Sequence, residues 1–227
     1  MYLANRVSTL ALLVAIAPPV TSAISIIAIA APARAQSVTV NTMTDLGTLQ
    51  VDDSGYSTAT AVSANGLVIT GVATNDAGDR HAYRWTATGI EDLGSLTPGN
   101  VGYSEGTSIS ADGSVIAGHS YTASGVVHAF RWTSAGMQDL GALSAAGASY
   151  GYALSADGTT VVGYSDTATA THAYRWTVGA GMQDLGTLET GNAGNSYGQV
   201  VSANGAAVAG YSTTDSGNIH AFHWTSA

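Results

Sequence analysis

The chain has no cysteine and no lysine, and its 227 residues include only six arginines, four prolines and two phenylalanines. Each scarcity closes off a class of chemistry. Without cysteine there is no disulfide, no thiol nucleophile and no cysteine-ligated zinc, so the fold must hold by packing and hydrogen bonding alone. Without lysine, and with so few arginines, the clustered cations that neutralise phosphates are missing, and no nucleic-acid partner is expected. Charged residues make up 9% of the chain, and the 15 acidic against six basic groups give a formal charge of −9. A charge of that size favours solubility over self-association.

A long apolar run occurs only near the N-terminus, from Leu10 to Ala30, after the single basic residue Arg6 and before Ala33-Arg34-Ala35. This is the pattern of a secretory signal peptide over residues 1–35, ending in an A-x-A cleavage site. Pro18, Pro19, Thr21 and Ser22 interrupt the run and weigh against the alternative, an uncleaved membrane anchor. Cleavage after Ala35 predicts one mature domain, 36–227, whose four arginines against 15 acidic groups carry a formal charge of −11. No membrane span is expected after cleavage. The expected destination is secreted, cell-surface or periplasmic in a bacterium.

The rest of the sequence repeats. HA(Y/F)(R/H)WT occurs four times, with its histidine at His81, His128, His172 and His220, in steps of 47, 44 and 48 residues. DLG triplets begin at Asp45, Asp92, Asp139 and Asp184, and SA(N/D)G turns at Ser63, Ser110, Ser155 and Ser202, in steps of 45 to 47. A constant register at this period means one supersecondary unit per repeat. A group present in every unit then reads as shared scaffold before it reads as one active site.

Within a unit, short apolar runs are bounded by Gly, Ser, Asp and Asn clusters, which reads as four antiparallel strands. In the third unit the first strand is expected to follow GMQDLG. The second ends at Leu154-Ser155, the third covers Val161 to Tyr164 and the fourth His172 to Thr177. Asn65-Gly66, Asp112-Gly113, Asp157-Gly158 and Asn204-Gly205 suit hairpin turns between the second and third strands. In the fourth strand, alternation sets His81, Tyr83 and Trp85 on one face and Ala82 and Arg84 on the other. Arg84, Arg131 and Arg175 then stand one short connection from Asp92, Asp139 and Asp184, within reach of an ion pair. The connections 75–80, 122–127, 166–171 and 213–219 differ in every unit, and loops free to vary on a fixed scaffold are the expected place for partner contacts.

Units of about 45 residues with four antiparallel strands are expected to build a small β-propeller. The expected mature chain opens with a strand-like SVTVNTMTDLG without a preceding HAFRWT and stops just after His220 to Thr225 without a following DLG. Pairing the two ends would complete a shared blade and remove an open edge. The alternative is an open β-repeat array or β-solenoid. The DLGTL, SA(N/D)G, VVGYS and HAFRWT elements, spanning residues 45–225, resemble the HAF-repeat family of predicted extracellular bacterial proteins. Some members of that family resemble autotransporter passengers followed by an outer-membrane barrel. The resemblance implies export and β-repeat architecture, and it carries no general activity.

No constellation in the sequence specifies catalytic, cofactor-binding or metal-binding residues, and no cofactor is expected. Four histidines round one axis suggest a metal site, but strand-end histidines of successive blades are spread too far for ligand distances of about 2 Å. The loops Asp52-Asp53-Ser54-Gly55 and 75–79 have oxygen ligands for calcium without the EF-hand pattern. One departure from the repeat stands out. Glu105 replaces Thr58, Tyr150 and Tyr197 of the other units, and His119 replaces Val72, Tyr164 and Tyr211. The two flank the Asp112-Gly113 turn, so they are expected to meet across the strand pair. The expected function is a secreted or surface-displayed interaction module without catalysis, binding an extracellular protein or glycan. The alternative is an extracellular hydrolase or lyase acting on glycan or peptide.

Overall fold

The computed structural model describes residues 43–226. The expected signal peptide, and the strand-like stretch as far as residue 42, lie outside the described residues. Fifteen strands among the described residues form four antiparallel sheets in chain order. The first sheet is β1 (Ser57–Val62), β2 (Ile69–Thr74), β3 (Arg80–Thr86) and β4 (Gly89–Asp92). The second is β5 (Ser104–Ile109), β6 (Ile116–Tyr121), β7 (Val127–Thr133) and β8 (Gly136–Asp139). The third is β9 (Ser149–Leu154), β10 (Thr160–Asp166), β11 (Thr171–Thr177) and β12 (Gly181–Asp184). The fourth has three strands, β13 (Ser196–Val201), β14 (Ala207–Thr213) and β15 (Ile219–Thr225). Every pair is a nearest-neighbour meander.

The hairpin turns form where the sequence places them, for a local reason. Ser63 Oγ accepts the Val68 amide at 3.0 Å, Gly66 N donates to Ser63 O at 2.9 Å, and Gly66 takes φ +73°. Gly113, Gly158 and Gly205 take the same left-handed conformation, which glycine adopts without steric cost. Each first strand carries a bulge just beyond Ala59, Gly106, Gly151 or Gly198. The bulge drives a carbonyl toward the facing residue of the second strand. A Cβ on Gly71, Gly118, Gly163 or Gly210 would fall on that carbonyl oxygen, so the glycine of each VVGYS-type strand is required by close approach.

The core lies between consecutive sheets. Ala82 and Leu93 of the first unit pack with Ile116, Phe130 and Trp132 of the second. Val115, Ala117, Ala129 and Leu140 of the second pack with Leu154, Val161, Tyr174 and Trp176 of the third. In the first sheet both faces of the HAYRWT strand are buried, with His81, Ala82 and Tyr83 at 0–1% exposure, whereas its counterpart in the fourth sheet, β15, is largely exposed.

Each joint repeats one hydrogen-bond set. The turn alanine of one sheet donates to that of the next, Ala64 N to Ala111 O, Ala111 N to Ala156 O and Ala156 N to Ala203 O, at 2.9–3.0 Å. Ala82, Ala129 and Ala173 donate their amides at 2.8 Å to the buried hydroxyls of Ser104, Ser149 and Ser196 in the following sheet. Within each sheet, the carbonyls of the same alanines accept from Leu93, Leu140 and Leu185 just beyond the fourth strand. The turn-alanine and serine bonds tie each sheet to the next.

Three expectations need correction. The strand assigned after GMQDLG is GMQD itself, the outer strand of the preceding sheet, because the short turn after HAFRWT returns the chain antiparallel to it (Thr133↔Gly136). Residues after DLG make only isolated parallel bridges, Leu49↔Asn75, Leu96↔Thr122 and Leu188↔Thr214. Among the described residues the two ends also do not share a blade. Residues 43–48 form no strand, Leu49 is tied to the first sheet's own loop, and the fourth sheet ends at β15. Among the described residues no strand lies beside the outer edge of β15, and residues of the end sheets are exposed, Val62 at 58% and Ile219 at 65%. Finally, the arginines do not pair with the DLG aspartates, whose partners are histidines.

Candidate functional site

The HAFRWT histidine and the DLG aspartate of one sheet face each other across β3–β4 and its counterparts. The Nδ1 of His81, His128 and His172 lies 2.9 Å from both carboxylate oxygens of Asp92, Asp139 and Asp184 respectively. The aspartate also accepts the amide of its own DLG glycine at 2.7 Å, so the pair pins the exit of each sheet. Three copies of one geometry, each enclosed in its own blade, are scaffold. The arginines serve the joints: Arg84, Arg131 and Arg175 donate Nε to the carbonyls of Gly113, Gly158 and Gly205 in the next turn. Arg84 also has Glu91 at 3.7 Å, a half-exposed pair contributing under about 1 kcal/mol.

Glu105 and His119 meet as expected. They are register partners in β5–β6, with Nε2 and Oε2 3.8 Å apart. Tyr103 donates its hydroxyl to the Glu105 carboxylate. Burial lowers the pKa of His119, an effect only partly opposed by the nearby Glu105 charge, so the imidazole is neutral at pH 7. Its Nδ1 is buried without a hydrogen-bond partner. Burial, followed by the bond to Glu105, raises the Tyr103 phenol above its ordinary range.

This pair is one end of a longer feature. Tyr103 lies tilted to His119 (5.9 Å between ring centroids), His119 lies tilted to Tyr150 of the third unit (5.2 Å), and Tyr150 stacks on Tyr164 (4.8 Å). Tyr164 then meets Tyr197 of the fourth unit (5.0 Å), and Tyr197 meets Tyr211 (4.9 Å). Tyr121 and Tyr152 flank the row, 43% and 42% exposed. The positions that break the repeat in the second unit are thus the aromatic positions of the third and fourth. The row runs through the first and second strands of successive sheets and crosses two joints.

The rim above the row is formed by the variable connections. Each follows the second strand directly and is lashed by the connector from the previous sheet, as in Leu96↔Thr122 and the bonds of Thr190 N and Oγ1 to Asp215 at 2.6 and 2.8 Å. Between the third and fourth units lies an open polar cavity of about 660 Å³, lined by Ser144, Gly147, Asp166, Thr169 and Asn195. The sequence reading located the rim loops and the Glu105–His119 pair but missed the row. Its signal was available: eleven tyrosines against two phenylalanines suit a surface that is apolar in body and wet at the tip better than a dry core.

Comparison with known family profiles gave no match, and comparison with curated proteins gave none either. Solved structures do match. The crystal structure of TolB from Acinetobacter baumannii superposes with a TM-score of 0.52 at 16% identity, over 75% of this chain and 41% of that one. The structure of a putative TolB from Agrobacterium tumefaciens gives 0.51 at 17% identity, over 72% of this chain and 64% of that one. The fold is β-propeller-like. At these identities the likeness concerns fold alone, and the chain spans less than two thirds of either TolB.

Proposed function

We propose that the chain is an exported, non-catalytic binding module of the HAF-repeat type, secreted or held in the periplasm or at the cell surface. It presents the tyrosine row and the variable rim to an extracellular glycan or protein. The observation that carries this reading is the row itself. Six rings from three sheets continue across two joints, each held by packing, with phenol and imidazole groups beside them. Tyrosine supplies rigid contact area with a polar tip at low entropic cost, the usual composition of a binding surface. The leader segment and the absence of a basic footprint agree with an extracellular ligand. Among the described residues, no helix is long and apolar enough to cross a membrane.

The test is a glycan and protein-ligand binding screen on the full chain, followed by Tyr152→Ala. That side chain is 42% exposed and flanks the row, so the variant is expected to stay folded with a melting temperature close to that of the wild type and to lose at least tenfold in affinity for any ligand found. The enzyme alternative makes a different demand, centred on the Glu105–His119 pair. Glu105→Gln would have to abolish turnover of a glycan or peptide that the wild type cleaves. Binding that is unaffected by Tyr152→Ala and Tyr164→Ala would place the ligand elsewhere.

A further inference from the structure

The third unit is cut short where the other three are not. From the DLG aspartate to the serine that opens the next first strand, the chain steps 12 residues in Asp45–Ser57, Asp92–Ser104 and Asp184–Ser196, but 10 in Asp139–Ser149. From the second-strand glycine to the HAFRWT histidine it steps 10 in Gly71–His81, Gly118–His128 and Gly210–His220, but 9 in Gly163–His172. Both shortened segments lie at one place on the rim. The parallel bridge that Leu49, Leu96 and Leu188 make to the loop has no counterpart at Leu143 among the described residues. The cavity of about 660 Å³ opens there, within the size range of small-ligand sites.

Its polar groups also break the repeat. Asp166 stands where the other units have Thr74, Tyr121 and Thr213, and Asn195 where they have Tyr56, Tyr103 and Ala148. Asp166 Oδ2 accepts the Ala148 amide at 3.2 Å and Oδ1 the Thr171 hydroxyl at 3.1 Å, which leaves a lone pair free on each oxygen. Asn195 Oδ1 accepts the Thr171 amide at 3.0 Å, and its Nδ2 has no partner among the described residues. Thr171 thus sets a carboxylate acceptor and an amide donor side by side. The lining holds no cation and no apolar side chain larger than alanine. Burial raises the pKa of the Tyr150 phenol and the Asp166 charge adds to the effect, so the cavity adjoins the tyrosine row.

We propose that this cavity binds a neutral sugar residue of a glycan, with Asp166 and Asn195 bridging adjacent hydroxyls. The inference rests on the reading of the chain as a binding module and names the ligand class at the edge of the row. A sugar hydroxyl both donates and accepts, so a vicinal pair satisfies an acceptor and a donor held next to each other. The carbon-bound face of the sugar can then lie toward the tyrosines. A protein partner would bring an apolar anchor, for which this lining has no apolar surface. An acidic sugar would meet Asp166 without a cation, on a mature chain of formal charge −11, and like charges disfavour that pairing.

The test is titration calorimetry of the full chain with short cello-, malto- and galacto-oligosaccharides, and with galacturonan oligosaccharides as the charged control. At least one neutral series is expected to bind and the galacturonan series not to. Asp166→Thr installs the residue of the first and fourth units, whose hydroxyl accepts the equivalent amide. Asn195→Asp keeps the acceptor for Thr171 and removes the donor. Both variants are expected to stay folded, with melting temperatures close to that of the wild type, and to lose at least tenfold in affinity. The proposal is overturned if no neutral oligosaccharide binds, if galacturonan binds as tightly, or if either folded variant keeps the wild-type affinity. A glycan lost in Tyr152→Ala but not in the cavity variants would overturn it and leave the row as the binding surface. A chain that binds neither glycan nor protein would overturn the binding reading as well.

Discussion

Single residues in this protein matter according to whether a second sheet covers them. Trp132 is 9% exposed between the first and second sheets, so Trp132→Ala is expected to cost about 3–5 kcal/mol in urea or thermal unfolding. Trp224, its counterpart in the last unit, is only half-buried, and Trp224→Ala is expected to cost clearly less in the dilute monomer. Equal costs would mean that the end face is covered. Gly163 tests a different constraint. A methyl there meets the Tyr150 carbonyl oxygen, which cannot move without breaking the bulge, so Gly163→Ala should destabilise by about 1–3 kcal/mol. Gly217→Ala, at the tip of a rim loop with open space around it but φ +77°, tests strain without a clash, and should cost about 1 kcal/mol.

At the scale of elements, turns and loops divide the work. The SA(N/D)G turns carry both the hairpin and the bond to the next sheet, so their geometry is not free. Asp112 accepts from the Ser110 hydroxyl, and from the amide and hydroxyl of Ser114, which lowers its carboxyl to about 2. Asp157 is lowered by the equivalent bonds from Ser155 and Thr159. A carboxyl with a depressed folded pKa contributes stability that is present above its unfolded value of about 3.9 and lost as pH falls through the folded one. His119 acts in the same direction at higher pH. Its folded pKa is depressed by burial, so the unfolded chain binds the proton more readily below about 6.5, and stability declines there too. Melting temperature is therefore expected to fall in two stages on acidification, with His119→Gln removing the upper stage and Asp112→Asn the lower. A flat profile from pH 7 to pH 5 in the wild type would contradict the account of His119.

For the molecule as a whole, each sheet touches only its neighbours, and stability is a sum of unit and joint terms. An open array should therefore unfold from its ends, with amides of β14 and β15 exchanging hydrogen before those of β6, β7, β10 and β11. Uniform protection across all four sheets, measured by hydrogen exchange, would mean that the ends are joined. The same logic separates scaffold from site. Identical His–Asp pairs hold the blades, while the tyrosine row occupies the positions where the units differ.

The sequence by itself determined the repeat length, the all-β class, the hairpin turns, the buried HAFRWT strand and the meeting of Glu105 with His119. These depend on local chemistry and on spacing within one unit, both of which are visible along the chain. The partner of Asp92 was less accessible. Arg84 and His81 are both near it in sequence, and only the pleat and the approach of the next turn decide that the histidine takes the carboxylate while the arginine crosses to Gly113. The tyrosine row and the serine bridges to Ser104, Ser149 and Ser196 both depend on how one sheet packs on the next. That packing is between units about 45 residues apart, so only the tertiary structure could decide it.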